Sequence, residues 1–291
     1  MEARIRTIVD ELVDAVIDRG EMDVVKDLAY PLPVTVISEM LGIPEEDRHL
    51  LNETASAVIK FQDIGGTPAD HRRADEITLR FNAMIRREIE DRRRSPRSDL
   101  MTAMAAAEEN GDMLSADELV STCFTLSAAG HETTVNLIAS LLYSLLQDRA
   151  LWERILAEPR LIPSAIEEGL RFDAPLRMLT ARYPEQDVEI AGVRILAGEQ
   201  VRMFVGAANF DENVFDDPDT FLIERKPNRH VAFNVGKHFC IGAKLARLET
   251  QLVLEALARR LPGIELGDRP AEWAPSISMR SLATLPIKWP A

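Results

Sequence analysis

Cysteine and positive charge are scarce in this sequence. Its 291 residues include two cysteines, Cys123 and Cys240, too few for a disulfide framework in a chain of this length. No Cys or His pair has the spacing of a zinc site. The 34 lysines and arginines are outnumbered by 48 aspartates and glutamates. This balance argues against non-specific nucleic-acid binding, because that binding needs a cationic surface.

Long apolar runs are also absent. No stretch of about eighteen apolar residues occurs, so the sequence predicts no membrane-spanning helix. The start of the chain alternates charged and apolar side chains and lacks the apolar block of a signal peptide. We therefore expect a cytoplasmic protein that binds neither membranes nor nucleic acid.

The first three-fifths of the chain carry apolar residues at helical spacing. They predict helices over 5–17, 32–41 and 48–61 and, after breaks at Gly65, Gly66 and Pro68, a long charged helix to about Arg94. The run DRRRSPRSD at the end of this last helix is interpreted as a solvated helix end and turn.

A capping box formed by Ser115 and Glu118 predicts the start of a further helix, which the pattern continues to about Gln147. Its centre, LSAAGHETTVN, holds small residues where strong helix formers are expected. A glycine inside a helix costs about 1 kcal/mol relative to alanine. This composition therefore indicates that another group approaches the helix closely.

The chain changes character after Asp187. DVEIAG and VRILAG predict a hairpin of short strands, and an irregular segment rich in Pro and Asp precedes a loop and a helix over 241–260. We find no internal repeat or low-complexity linker. The sequence predicts one mainly α (α+β) domain over residues 1–291.

The loop FNVGKHFCIG, which leads into that last helix, contains the strongest chemical signal. A cysteine at a helix N-terminus lies near free backbone N–H groups and the positive end of the helix dipole, which favour its thiolate. Nearby glycines let a flat ligand approach the backbone. A lone cysteine would most simply be a buried structural residue. Here, however, five residues at fixed offsets resemble the haem-binding loop of the cytochrome P-450 family: Phe233, Gly236, His238, Cys240 and Gly242.

The segment AGHETT at 129–134 carries the same resemblance. It is similar to the oxygen-activating stretch of the family's central helix, in which Glu132 and Thr133 would deliver protons to bound oxygen. By itself, such a run of residues more often serves only the packing of a helix. We take His131 as a non-ligand and Cys123, on the same predicted helix, as packing.

Glu168 and Arg171 are neighbours on one helix face and, without other context, would form an ordinary surface ion pair. In the family an equivalent pair is buried and binds an arginine in the following irregular segment. FDDPDTFLIER resembles that segment and makes Arg225 the third partner. The resemblance gives the trio a structural role, which is to hold the loop that presents Cys240.

The resemblance implies heme b as the cofactor, with Cys240 as the iron ligand and with Arg182 and His238 as donors to the haem propionates. Arg182 and His238 could each instead be an ordinary surface residue. The residues assigned to the cofactor are Ala129, Gly130, Thr133, Arg182, Phe233, Gly236, His238, Cys240 and Gly242.

The implied architecture is the mainly α cytochrome P-450 fold, truncated on its N-terminal side, so that the first quarter of a usual member has no counterpart here. The implied reaction inserts one oxygen atom from O2 into a small apolar organic substrate, with electrons from a ferredoxin or flavodoxin. Ala128, Ala129 and residues 176–180 are expected to line the substrate pocket. Four basic residues near the thiolate loop are candidate contacts of the electron donor: Arg229, Lys237, Lys244 and Arg247.

Two alternatives stay open on the sequence. The chain could bind haem without turnover, as a sensor or sink, or it could keep the fold as a haem-free scaffold. The presence of Cys240, Glu132 and Thr133 argues against a scaffold, which would not need them. Two residues depart from the family pattern: Asn234 stands where glycine is usual, and Phe210 where arginine is common.

Overall fold

Helices form most of the structure, as the apolar spacing predicts. The computed structural model describes residues 1–63, 66–109 and 114–290. Gly65, predicted as part of a helix break, lies outside the described residues. The helices are α1 (Glu2–Asp14), α2 (Pro31–Leu41), α3 (Arg48–Gln62), α4 (Pro68–Arg94), α5 (Leu100–Glu109), α6 (Ala116–Ala129), α7 (Glu132–Gln147), α8 (Arg149–Ala157), α9 (Ile162–Phe172), α10 (Val205–Ala208) and α11 (Ala243–Arg260).

Capping boxes start α4 and α6. At α6 the hydroxyl of Ser115 accepts a hydrogen bond from the N–H of Glu118 (3.3 Å), and the carboxylate of Glu118 accepts one from the N–H of Ser115 (2.8 Å). This confirms the predicted start. Thr67 and Asp70 make the same exchange at α4. The sequence pattern did not predict this second capping box, because aspartate stands where glutamate is usual.

The end of α4 differs from its prediction. The run DRRRSPRSD was expected to be solvated, but the side chain of Arg92 is fully buried. Its guanidinium pairs with Glu88 and Asp99 and donates to the carbonyl of Gly42. A Cβ on Gly42, which has φ +78°, would overlap the Asp99 carboxylate. The burial of Arg92 depends on tertiary partners that a charge pattern cannot reveal.

The larger core lies between α1, α7, α9 and α11. Most residues of α7 between Thr134 and Leu146 are buried, and a Cβ on Gly169 of α9 would lie 2.9 Å from Cδ1 of Leu141. A second core joins α2 to α6 and includes Phe81 and Cys123. Burial raises the pKa of the Cys123 thiol to about 12, which suits a packing role.

The sheets of the described ranges are small and antiparallel. Strand β1 (Glu21–Asp23) pairs with β7 (Pro286–Lys288), whose other edge binds β4 (Glu265–Leu266), and β5 (Glu272–Trp273) pairs with β6 (Leu282–Thr284). The predicted hairpin is confirmed as β2 (Val188–Ile190) and β3 (Val193–Ile195). Ala191 and Gly192 connect these two strands with positive φ at both positions, which matches the twist of paired strands.

None of the helices in the described part of the chain is long and apolar enough to cross a membrane.

Candidate functional site

Cys240 lies just before α11, in a loop whose backbone is hydrogen-bonded on both sides of the sulfur. The N–H of Cys240 donates to the carbonyl of Phe233 (2.9 Å), and the N–H of Ala243 donates to the carbonyl of Cys240 (3.3 Å). The cysteine is exposed, and so are the apolar side chains of Phe239 and Ile241 beside it. The loop therefore presents the thiol at the surface among apolar neighbours. Helix α11 begins at Ala243, slightly later than predicted.

Two residues in the left-handed region shape this loop. Gly236 has φ +64° and begins a single 3-10 turn that ends at His238. Asn234 has φ +62°, and its Oδ1 accepts the N–H of Val235 (2.8 Å). Asparagine adopts this region more readily than most residues. It can therefore occupy a position where the resembling loops carry glycine.

The central helix predicted from 115 to 147 is wrong in one respect, because the chain breaks inside it. Helix α6 ends at Ala129 and α7 begins at Glu132. A Cβ on Gly130 would overlap the carbonyl oxygen of Leu126 and would lie 3.1 Å from Cγ1 of Ile37. The close approach that the small residues indicate therefore includes α2.

Side chains replace backbone hydrogen bonds at this break. Nδ1 of His131 donates to the carbonyl of Ser127 (2.9 Å), and Oγ1 of Thr133 donates to the carbonyl of Ala129 (3.3 Å). Each acceptor lies four residues earlier, where a continuous helix would use a backbone N–H. Burial lowers the pKa of His131 to about 4, so the ring is neutral with its proton on Nδ1. Its buried Nε2 has no partner among the described residues.

Glu132 and Thr133, the predicted proton carriers, are half-buried at the start of α7. Burial raises the pKa of Glu132, so its carboxyl keeps a proton to higher pH, as a proton donor must. On α6, the residues Ser121, Thr125 and Ala129 are exposed at four-residue spacing. Small and hydroxyl side chains thus form an open strip that leads to the helix break.

The carboxylate of Glu168 is fully buried and accepts hydrogen bonds on both oxygens. Arg171 donates through Nη2 to Oε1 (2.8 Å) and through Nε to Oε2 (2.9 Å), and Nε of Arg225 lies 3.1 Å from each oxygen. The N–H of Leu222 (2.9 Å) and Nδ2 of Asn228 (3.1 Å) donate as well. The structure therefore brings together the three residues that the resemblance groups.

Arg171 and Arg225 also bind the irregular segment that follows α10, through its main-chain carbonyls. Their guanidinium groups donate at 2.5–3.2 Å to the carbonyls of Asn209, Asp216, Asp217, Pro218 and Thr220. Three phenyl rings lie with their centroids 5.2–5.5 Å from the Arg171 guanidinium: Phe172, Phe210 and Phe215. Phe210, in place of a common arginine, offers a cation a π face rather than a like charge.

Arg182 and His238, predicted to bind the haem propionates, lie in different settings. Arg182 forms an isolated bridge with Val201, and its Nη1 donates to Oγ1 of Thr180 (2.9 Å). His238 is exposed in the turn before Cys240. Their assignment to the cofactor stays a prediction.

A second ion cluster beside the Cys240 loop was not predicted. Glu167 accepts from Arg247 through Nε (2.6 Å) and Nη2 (2.8 Å), and from Nε2 of His230 (3.0 Å). Burial alone would raise the pKa of Glu167, but these hydrogen bonds outweigh it and lower the pKa to about 2. Arg247 is thus engaged with Glu167 and half-buried, and its role as a contact of the electron donor stays a prediction. The sequence signal for this second cluster was the pair of adjacent acids at 167 and 168. Because consecutive residues of a helix point to different sides, two such acids bind different partners.

Glu249 on α11 was also missed. The residue is 1% exposed, and its Oε2 has no hydrogen-bond partner in the described structure. Burial raises its pKa to about 8. In a sequence this rich in charge, an acid on a long helix suggests a solvated face, and nothing local indicates otherwise.

Among the residues predicted to line a substrate pocket, Arg177 borders a groove of about 620 Å³, whereas Leu176, Met178, Leu179 and Thr180 border a much smaller space. Met178 and Leu179 are buried and, with Ile59, line a cavity of about 20 Å³, which is room for about one water molecule. Two larger grooves, of about 700 and 620 Å³, are lined neither by Cys240 nor by Glu132.

The Cys240 loop fits a metal that brings most of its own ligands. In the described ranges, no group of three or more His, Cys, Asp and Glu residues could hold a metal ion. Cys240 therefore offers a single thiolate, which suits an iron already held by a macrocycle. A Cβ on Gly242 would lie 3.8 Å from the sulfur, so glycine at this position leaves room for a flat ligand.

Comparison with protein families and curated proteins gives consistent matches. The model of the family Cytochrome P450 matches residues 22–262. A cytochrome P450 of Bacillus subtilis (strain 168) is 40% identical over 291 residues, which cover 99% of this chain and 70% of the relative. A steroid C26-monooxygenase of Mycobacterium tuberculosis (strain ATCC 25618 / H37Rv) is 37% identical over 98% of this chain and 72% of its own length.

Solved structures match this chain over nearly all of its length. CYP109E1 from Bacillus megaterium in complex with testosterone has a TM-score of 0.95 and 34% identity, covering 100% of this chain and 76% of that one. P450BioI in complex with an acyl carrier protein ligated to hexadec-9Z-enoic acid has a TM-score of 0.94 and 37% identity, covering 99% and 74%.

Proposed function

Because this chain is an oxidoreductase of the cytochrome P450 family, we propose that it is a haem-thiolate monooxygenase that inserts one oxygen atom from O2 into a small apolar organic molecule. The observation that carries this proposal is the exposed thiol of Cys240, tied to Phe233 at the start of α11. One similar structure is a complex with testosterone, and another is a complex with an acyl carrier protein ligated to hexadec-9Z-enoic acid. Both support an apolar substrate. A cytoplasmic location stays a prediction.

The family implies a haem, and we propose heme b with Cys240 as the protein ligand of its iron. When bound, the haem supplies the centre at which O2 is reduced and activated. Burial raises the pKa of Glu132 and so favours its protonated form. The hydroxyl of Thr133, which donates to the carbonyl of Ala129, can rotate and relay that proton. Arg182 and His238 would hold the propionates.

Replacing Cys240 tests this assignment. The reduced wild-type protein with carbon monoxide should absorb at about 450 nm, the signature of a thiolate ligand. Cys240→Ser should abolish that band, because a hydroxyl does not replace the thiolate. Cys123→Ala should retain it, because Cys123 is buried in the second core. A wild-type protein without the band would contradict the proposal.

Product formation with a ferredoxin and an apolar substrate tests turnover. A 450 nm band with reduction of O2 but without product would contradict the monooxygenase assignment and leave a protein that binds haem without turnover.

We propose that a ferredoxin or flavodoxin docks beside the thiolate loop, where Arg229, Lys237 and Lys244 are exposed. Reversing two charges in Lys237→Glu/Lys244→Glu should slow reduction by an acidic ferredoxin about tenfold at low salt, through lost electrostatic attraction. Lys60→Glu on α3 serves as the control at an exposed site. Stopped-flow reduction rates that match the wild type would remove this surface from the docking site.

A further inference from the structure

The Cys240 loop is fastened to α9 at a point distinct from the Glu168 cluster. Glu167 and Glu168 are adjacent, and their carboxylates bind different partners. Glu168 fixes the irregular segment through Arg171 and Arg225, whereas Glu167 binds His230, which precedes the loop, and Arg247 of α11, which follows it. One helix thus anchors the irregular segment and the residues on both sides of the loop.

The hydrogen bonds of His230 fix its tautomer. The N–H of Ala232 donates to Nδ1 (3.3 Å), so Nδ1 is unprotonated and the proton lies on Nε2. Nε2 then donates to Oε2 of Glu167 (3.0 Å). The His230 side chain is 5% exposed. The imidazole of His230 is therefore hydrogen-bonded at both nitrogens and held in one orientation.

Arg247 connects the same carboxylate to the backbone of Cys240. It binds Glu167 through two parallel hydrogen bonds, a geometry that lysine cannot reproduce. Its guanidinium lies over the ring of Phe233, 4.5 Å from the centroid. The carbonyl of Phe233 accepts the N–H of Cys240 (2.9 Å). A continuous set of contacts thus runs from Glu167 to the cysteine.

We propose that Glu167, Arg247 and His230 are positioning residues for Cys240, with Glu167 holding Arg247 over Phe233 and Phe233 holding the cysteine backbone. The inference rests on the proposed function for the statement that Cys240 ligates the haem iron. The contacts themselves belong to this chain's own residues, and their effect on the loop can be measured without turnover.

Glu167→Gln tests the inference, because it keeps the size of the side chain and removes the charge that orients Arg247. Amide hydrogen exchange over residues 231–242 should become about tenfold faster, from the loss of a charge-assisted pair. Part of the carbon monoxide band should also move from about 450 nm to about 420 nm as the thiolate ligand is lost. Glu153→Gln, which removes an exposed pair with Arg149 on α8, should change neither readout.

Unchanged exchange and an unchanged band in Glu167→Gln would overturn the inference. If that variant does not fold, Arg247→Lys replaces it and should accelerate exchange in the same residues, because the charge remains but the paired geometry is lost. A wild-type protein that shows no 450 nm band would refute the proposed function instead. The exchange comparison on the same samples would still decide the positioning role.

Discussion

Glu168→Gln should lower the free energy of unfolding by about 3–5 kcal/mol, the cost of leaving buried charges without their partner. Arg171 and Arg225 would face a neutral amide at a site where the Arg171 and Glu168 side chains are 0% exposed. The amide nitrogen of glutamine would also point a donor at guanidinium donors. Urea unfolding followed by circular dichroism measures this loss.

Glu224→Gln is the matched control for Glu168→Gln. Glu224 lies beside Arg225 in the chain and pairs with Arg154, with both side chains about half exposed. Exposed pairs of this kind contribute about 1 kcal/mol or less. If the two variants lose the same stability, the buried cluster does not hold the irregular segment in the way that its contacts indicate.

Glu249→Gln should raise the free energy of unfolding in mildly alkaline solution. Burial raises the pKa of Glu249 to about 8 from an ordinary value of 4.5. Between these values the unfolded chain has released the proton while the folded chain keeps it, so stability falls as pH rises. The slope reaches about 1.4 kcal/mol per pH unit for one proton. Glutamine, which cannot ionise, removes this loss.

His131 opposes Glu249 over part of the pH range. Burial lowers the pKa of His131 from 6.5 to about 4, so between these values only the unfolded chain binds the proton and stability rises with pH. The two slopes offset each other from about pH 4.5 to about pH 6.5. Above that window the loss from Glu249 is unopposed by His131. Glu132, whose pKa burial also raises, adds a slope of the same sign as Glu249 that the variant retains.

Urea unfolding at about pH 6 and about pH 8.5 separates these contributions. The gain from Glu249→Gln should be larger at the higher pH. Glu255→Gln on the same helix loses a contact with Arg6 (3.2 Å) and should gain nothing at either pH. Equal gains from Glu249→Gln at both values would mean that the side chain does not keep its proton in the folded protein.

Structural features that depend on residues close together in the sequence were predicted well. The capping box at Ser115 and the hairpin over 188–195 form as expected, because their partners lie within a few residues. The spacing around Cys240 likewise predicted a glycine-containing loop at the start of a helix. The break after Ala129 was missed because the side chain of His131 takes over a backbone hydrogen bond, which no propensity describes.

Contacts between distant residues account for what the sequence could not reveal. Arg92 and Gly42 are 50 positions apart, and Arg247 and Glu167 are 80 apart. The charged residues Arg92, Arg247 and Glu167 each stand in a sequence context typical of a solvated surface. Only the packing of helices decides that they are engaged. The Glu168 cluster could be anticipated through the family resemblance, whereas the Glu167 cluster had no such guide.

The way in which Arg171 and Arg225 bind the irregular segment has a consequence for its evolution. Both arginines donate hydrogen bonds to main-chain carbonyls, which every amino acid has. The exposed side chains of Asp216, Asp219 and Thr220 can therefore drift to other residues while the path of the chain is preserved. Selection should instead preserve the two arginines and Glu168. The path of this irregular segment is thus determined by residues that mostly lie outside it.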